Sequence, residues 1–220
     1  WGGYFFYHNR LHRNYQDDIS LHYYLLASKD GITIGKRYFK HENNKEDYPF
    51  SPSGHNLYDN NSKLYYCRDF DNIVYQIHED SVVPRFRINL PNPLPASMIE
   101  ERPNEMSLLR SGYSLGITDI YEYGGLLFFR FVKDGYIWSC LYNVEESKQV
   151  YCAKRIKFLD SSLIDTIDGI YKDCFYSILT PEYLDYAFSE NPLEDYPDLF
   201  KTYDVEGDNP VIAFYRAVVR

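Results

Sequence analysis

Two features of this 220-residue chain predict an all-β fold. Aromatic residues reach 18%, with 24 Tyr and 14 Phe, and short apolar runs are repeatedly interrupted by Gly, Asp, Asn and Ser. Aromatic side chains suit a pleated, half-buried surface, and turn residues at close spacing leave room for strands but little for long helices. Apolar residues make up 45% and charged residues 25%, the balance of a chain that can bury a core.

The opening Trp1-Gly2-Gly3-Tyr4-Phe5-Phe6-Tyr7 already reads as strand. Neither an initiator Met nor a basic, apolar leader precedes it, so it is expected to continue an upstream segment. Residues 19–27 form the next strand, turn through Ser28-Lys29-Asp30-Gly31 and return over 32–39, since Asp-Gly supplies the positive φ angles of a hairpin loop. A three-stranded meander is expected at 63–67, 72–78 and 82–90, with Glu79-Asp80-Ser81 as a turn. A four-stranded one follows at 116–123, 126–132, 136–143 and 149–156. Its turns are Gly124-Gly125, Lys133-Asp134-Gly135 and Val144-Glu145-Glu146-Ser147. A weaker instance covers 163–167, 170–172 and 174–179, with Asp168-Gly169 as its turn.

Two stretches break this rhythm. Residues 91–110 carry Pro91, Pro93, Pro95 and Pro103 and read as a long loop with one helical turn at 96–101. Thr180-Pro181-Glu182 provides an N-cap, a proline at the first helical position and an acidic first turn, and Asn191-Pro192-Leu193-Glu194-Asp195 repeats that start. A short helical insertion is therefore expected at 181–200, before a terminal strand at 211–219. Meanders recurring at roughly 40 to 50 residues are the pattern of β-propeller blades, with a β-sandwich as the competing arrangement.

With 23 Lys and Arg against 32 Asp and Glu, the chain lacks the basic footprint of a nucleic-acid partner. No apolar run approaches the roughly 20 residues that span a bilayer, so no transmembrane segment is expected in the chain. Of the four cysteines, Cys67, Cys140, Cys152 and Cys174, none has metal-finger spacing. A hairpin centred on Glu146 would set Cys140 opposite Cys152. Opposed residues at a non-hydrogen-bonded position come within about 4.5 Å at Cα, close enough for a disulfide. The alternative is a pair of half-buried thiols.

Chemistry-bearing motifs are sparse. There is no Gly-x-Ser-x-Gly elbow, Walker loop or strand-linked GxGxxG, so no catalytic residue, metal set or cofactor is nominated. His8 and His12 are spaced i, i+4, but the preceding strand places them in or beside a loop as surface residues. His78 ends a strand and flanks a turn. Asp119, Glu122, Asp165 and Asp168 lie near strand ends, where propeller carboxylates can converge on a central channel as a cation site or an acid/base pair. The plainer reading is that they solvate turns and edges. Tyr121, Tyr123, Tyr136 and Trp138 are either stacking platforms for sugar rings or cross-strand core. The candidate ligand-binding residues are thus Asp119, Glu122, Asp168 and Trp138.

The run Asp71-Asn72-Ile73-Val74-Tyr75-Gln76-Ile77, continued by Val82-Val83-Pro84-Arg85-Phe86-Arg87-Ile88-Asn89-Leu90, resembles the recurring blade phrase of a six-bladed β-propeller family of gut Bacteroides, a family of unknown function. Asp208-Asn209-Pro210-Val211-Ile212-Ala213-Phe214-Tyr215 is similar to its C-terminal strand, and residues 32–39 to the end of an earlier blade. The resemblance implies that residues 1–220 form a single propeller domain, about four C-terminal blades of a six-bladed ring. Earlier blades and a lipid anchor would lie upstream. It also implies a cell-envelope location, periplasm or outer surface, where a Cys140–Cys152 bridge is chemically permitted. The function implied is a non-catalytic binding or interaction scaffold, its partner a glycan or a protein of a nutrient-uptake system. The alternative is a metal-dependent hydrolase or glycan lyase using channel carboxylates. An incomplete set of blades would leave apolar faces open, to be covered by the remaining blades or by another copy.

Overall fold

A computed structural model describes residues 3–9, 23–40, 52, 55–101, 103–154, 156–158, 161–164, 167–190, 202–204, 206–207 and 209–216. The chain divides into two compact units, residues 1–120 with 131–136, and residues 121–130 with 137–220. The described residues are overwhelmingly β, and within each sheet every strand hydrogen-bonds its neighbour in chain order.

The first sheet holds β1 (Phe5–His8), β2 (Tyr23–Ser28) and β3 (Ile34–Lys40). The second holds β4 (Leu57–Asn60), β5 (Lys63–Cys67), β6 (Ile73–Ile77) and β7 (Val82–Arg87). Two short helices, α1 (Ala96–Glu100) and α2 (Glu105–Leu109), lead into the third sheet. That sheet holds β8 (Ser114–Tyr123), β9 (Leu126–Lys133), β10 (Tyr136–Asn143) and β11 (Lys148–Ala153). A hairpin of β12 (Ile156–Phe158) and β13 (Ser161–Ile164) follows. The last sheet is β14 (Gly169–Tyr171), β15 (Cys174–Leu179) and β16 (Val211–Tyr215), with helix α3 (Pro181–Glu190) between β15 and β16. Four meanders of three or four strands are the blades, and α3 is the helical insertion expected near the C-terminus.

The turn chemistry explains why the meanders form where they do. Gly124 and Gly125 have φ of 56° and 77°, and Asp134 and Gly135 have 54° and 73°, so two-residue loops with both central residues at positive φ close β8–β9 and β9–β10. Such loops match the right-handed twist of the strands they join. In the β2–β3 loop the Asp30 carboxylate accepts from Ser28 Oγ at 2.8 Å, Ile32 N at 2.9 Å and Thr33 N at 2.7 Å. Those backbone donors, with the Ser28 hydroxyl, hold the Asp30 carboxyl well below the usual carboxylate range. A depressed pKa contributes stability that is present above the unfolded value and is lost as pH falls through the folded one. The stability difference between the wild type and Asp30→Asn is therefore expected to be constant from neutral pH down to the ordinary aspartate range and to shrink below it. Urea midpoints measured between pH 7 and pH 2 test this, and a difference that does not change with pH would count against it.

Four expectations need correction. The second blade has four strands, not three. β4 is added at Leu57–Asn60, a run with one apolar pair flanked by polar residues and hence nearly silent in pattern. The 91–110 loop carries a second helical turn, α2, started by Asn104, whose side chain accepts from Ser107 N at 2.9 Å. Residue 156 does not prolong β11 but opens the separate β12–β13 pair. Asp168-Gly169 is not a turn: Gly169 lies in β14 opposite Tyr176, and the turn falls at Lys172-Asp173, with Lys172 at φ 54°. The glycine is there for space, because a Cβ on Gly169 would stand 2.7 Å from the Tyr176 ring. The second helix start at 191–195 lies outside the described residues.

Within the first unit, Leu25 of β2 meets Leu64, Tyr66, Tyr75 and Ile77 of the second sheet, with Phe6, Tyr38 and Phe39 closing around them. Arg68 extends this aromatic layer, its guanidinium 5.4 Å from the Phe39 ring centre and 5.9 Å from that of Tyr75, and it pairs with Asp71 at 2.6 Å. A second cluster of Leu108, Leu115 and Val132 seats α2 on the third sheet. Lys36 of β3 donates to Glu79 O at 2.7 Å and to Asp80 Oδ1 at 2.8 Å in the β6–β7 turn, tying the first two blades together at the surface.

Candidate functional site

The carboxylates nominated from the sequence fall into two separate settings. Asp119 belongs to the first unit, buried on β8, with its Oδ1 3.8 Å from Nε2 of His55, whose side chain is 62% exposed. Tyr58 braces that corner: its hydroxyl donates to the Thr118 carbonyl of β8 and reaches the His55 carbonyl at 2.5 Å. The His55 and Tyr58 rings stand 5.2 Å apart. Cys67, fully buried on β5, lies within electrostatic reach of Asp119. Burial pushes its thiol up, and the Asp71 and Asp119 carboxylates push in the same direction. This thiol is a core group, since nucleophilic cysteines need an exposed and electropositive setting.

Asp168 belongs to the second unit and has an architectural role. Its Oδ2 accepts from the backbone N of Ile178 at 2.7 Å, and its own carbonyl accepts from the Tyr121 hydroxyl at 3.0 Å. The residue thus pegs the approach to β14 onto β15 and receives a contact from β8. Phe128 of β9 and Phe175 of β15 add an aromatic contact, centroids 6.4 Å apart, on the same side. Glu122, next to Tyr121 on β8, is half-buried. Asp165 lies outside the described residues. Among the described residues, no group of three or more His, Cys, Asp or Glu stands close enough to hold a metal ion.

Trp138 sits half-buried on β10, with the Lys154 ammonium 5.8 Å from its ring centre. The β10–β11 register sets Cys140 directly opposite Cys152, with Cα atoms 4.1 Å apart and the sulfurs at 2.11 Å. His8 is not a surface loop residue. It ends β1 and packs half-buried, Nδ1 3.1 Å from the Tyr66 hydroxyl, because the strand runs one residue further than its apolar letters suggest. His78 flanks the β6–β7 turn, its N donating to Ser81 O at 2.8 Å. His12, His22 and His41 lie outside the described residues. His55 and Lys154 were not nominated from sequence. Nothing local distinguishes His55, and only the approach of β8 to the second blade gives it a carboxylate neighbour.

Four antiparallel sheets of three or four strands, each with its strands paired in chain order, have the form of β-propeller blades. Residues 2–162 match the model of the 6-bladed beta-propeller family DUF5128, and the chain belongs to that family. Its fold is similar to the crystal structure of a Bacteroides fragilis protein described as exported, with a TM-score of 0.70, 16% sequence identity, and coverage of 95% of this chain and 61% of that one. The chain therefore spans about three fifths of the length of that protein. No curated protein matches the sequence. No helix among the described residues is long and apolar enough to cross a membrane.

Proposed function

We propose that this protein is a non-catalytic binding scaffold of the cell envelope, recognising a glycan or a protein partner of a nutrient-uptake system. The observation that carries the reading is the use of Asp168: an oxygen of the most promising strand-end carboxylate accepts from a backbone amide of its own blade. A carboxylate oxygen so engaged holds two strands together, which favours an architectural use of this residue. Trp138, half-buried with the Lys154 ammonium over its ring, sets an aromatic side chain and a cationic donor side by side, a pairing that contact recognition can use. Similarity to a protein described as exported, together with a cross-strand cysteine pair suited to an oxidising compartment, supports placement outside the cytoplasm.

The test is a thermal-shift screen against plant and host glycans. A ligand at about 100 times its Kd adds about 2.7 kcal/mol, which for a chain of this size raises Tm by roughly 5 to 11 °C. Trp138→Ala is expected to abolish the shift without lowering the Tm of the unliganded protein by a comparable amount. Release of shortened or unsaturated sugar products would overturn the non-catalytic reading. A flat panel would move the weight to a protein partner.

One arrangement favours the second reading, an enzyme of the hydrolase or lyase type. An exposed imidazole backed by a buried carboxylate, as in His55 and Asp119, is the form a general acid or base takes. If products do appear, Asp119→Asn and His55→Ala should each remove them.

A further inference from the structure

The outer hairpin of the third sheet sets an aromatic ring, a cation and a covalent clamp side by side. The register that places Cys140 opposite Cys152 and Ser139 opposite Ala153 brings Lys154 abreast of Trp138, and the Lys154 ammonium stands 5.8 Å from the indole centre. Successive cross-strand pairs alternate between the two faces of a sheet, so Trp138 and Lys154 share a face with the bridged cysteines. Trp138 is half-buried and Lys154 is exposed. The charge of this stretch also runs against that of the chain. Residues 147–159 hold Lys148, Lys154, Arg155 and Lys157 and neither Asp nor Glu, in a protein of net charge -9. Lys148, at the start of β11, and Lys154, just past its end, are both exposed and stand roughly 20 Å of strand apart. Among the described residues β11 ends its sheet. Edge strands often carry lysine to keep other strands from pairing, but that use asks for charge alone and not for a tryptophan beside it.

We propose that Trp138 and Lys154 form a contact site for acidic saccharides, with a sugar ring stacked on the indole and its carboxylate or sulfate on the Lys154 ammonium. The inference rests on the glycan-binding reading above and adds the class of glycan. The C–H face of a pyranose is flat and apolar, which suits the negative face of an indole. An ammonium beside that indole adds a charge-assisted hydrogen bond, shorter and stronger to an anionic oxygen than to a neutral hydroxyl. The other three cations of the same run favour a chain of acidic units over a single one. The cysteine bridge holds β10 to β11 close by, so ring and ammonium are placed before the ligand arrives and little ordering is left to offset its binding.

The chain has two tryptophans, so Trp1→Phe leaves Trp138 as the sole indole reporter. Its emission is titrated with oligosaccharides of galacturonate, alginate and chondroitin sulfate, each beside its carboxyl-reduced form, which in chondroitin sulfate keeps the sulfate. An acidic oligosaccharide is expected to change the emission saturably and to bind about tenfold tighter than its uncharged counterpart. That preference should fade as salt is raised. Loss of binding on carboxyl reduction assigns the carboxylate, and its survival in chondroitin sulfate assigns the sulfate; either supports the site. Lys154→Ala should erase the preference and Lys154→Arg should keep it, with the Tm of the unliganded protein unmoved in both. Equal affinity for acidic and uncharged forms would overturn the acidic class and leave the scaffold reading standing. A preference that survives both Lys154→Ala and Trp138→Ala would overturn the site. A panel without any binding would overturn the proposal, and the neutral glycans of the thermal-shift screen then decide separately whether the glycan reading falls with it.

Discussion

Gly116→Ala is expected to cost about 3 kcal/mol or more and to lower Tm by roughly 6 to 12 °C, the largest effect of a methyl group added to any of the described glycines. Gly116 sits in β8 at φ +94°, and a Cβ there would stand 2.7 Å from Phe70 Cα, 2.8 Å from Phe70 C and 2.9 Å from Asp71 N. Those are backbone atoms and cannot swing aside. The loop between β5 and β6 is pinned at this point by the Ile117 amide, which donates to Asp71 O at 3.1 Å, and by the Arg68–Asp71 pair. Relief would require parting the second blade from the third. Gly35→Ala on β3 is the matched control, since its nearest neighbour, Ala27 O, is 3.8 Å away and its φ lies outside the positive region. There the methyl group is expected to be neutral or stabilising by up to about 1 kcal/mol, through the lower entropy of the unfolded chain. Equal Tm values for the two variants would show that the blades do not approach as closely as described.

Removing the cysteine pair is expected to have the next largest effect. A bridge between Cys140 and Cys152, 12 residues apart, closes the β10–β11 hairpin. For a loop of about that size the chain-entropy treatment gives about 3 kcal/mol. Cys140→Ala with Cys152→Ala should lower Tm by several degrees, and a reductant should lower the wild type toward the double variant while leaving the variant itself unchanged. Alkylation of the unfolded, unreduced protein should modify Cys67 and Cys174 only, since these are the two thiols outside the pair. Modification of all four cysteines, or a wild-type Tm indifferent to reductant, would rule the bridge out.

The legibility of this fold in its sequence varied with how local the deciding interactions are. Gly124-Gly125, Asp134-Gly135 and the turn at Gly31 were readable because positive φ is settled within a few residues, whereas the hold of the Asp30 carboxylate on the Ile32 and Thr33 amides was not read from the sequence. The N-cap of α3 was also readable from local residues, with Tyr183 N donating to Thr180 Oγ1 at 3.3 Å. β4 was missed because its four residues carry little alternation of their own, and its place is fixed by Tyr58 and Asn60, which donate to carbonyls of β8 some 60 positions away. Gly169 was misread because a glycine that makes room for a ring and a glycine that makes a turn are the same letter.

The candidate site divides in the same way. The sequence by itself determined the all-β class of the fold, most of the hairpin turns in the first three sheets, and the hairpin register that sets Cys140 opposite Cys152. All of these follow from composition, strand period and turn geometry, which act over a few residues. Only the tertiary structure decided that Asp119 lies buried beside His55 and that Asp168 binds the Ile178 amide. A strand pattern says which side chains share a face. What that face meets depends on which sheet packs next to it, and that is settled by contacts between residues far apart in the chain.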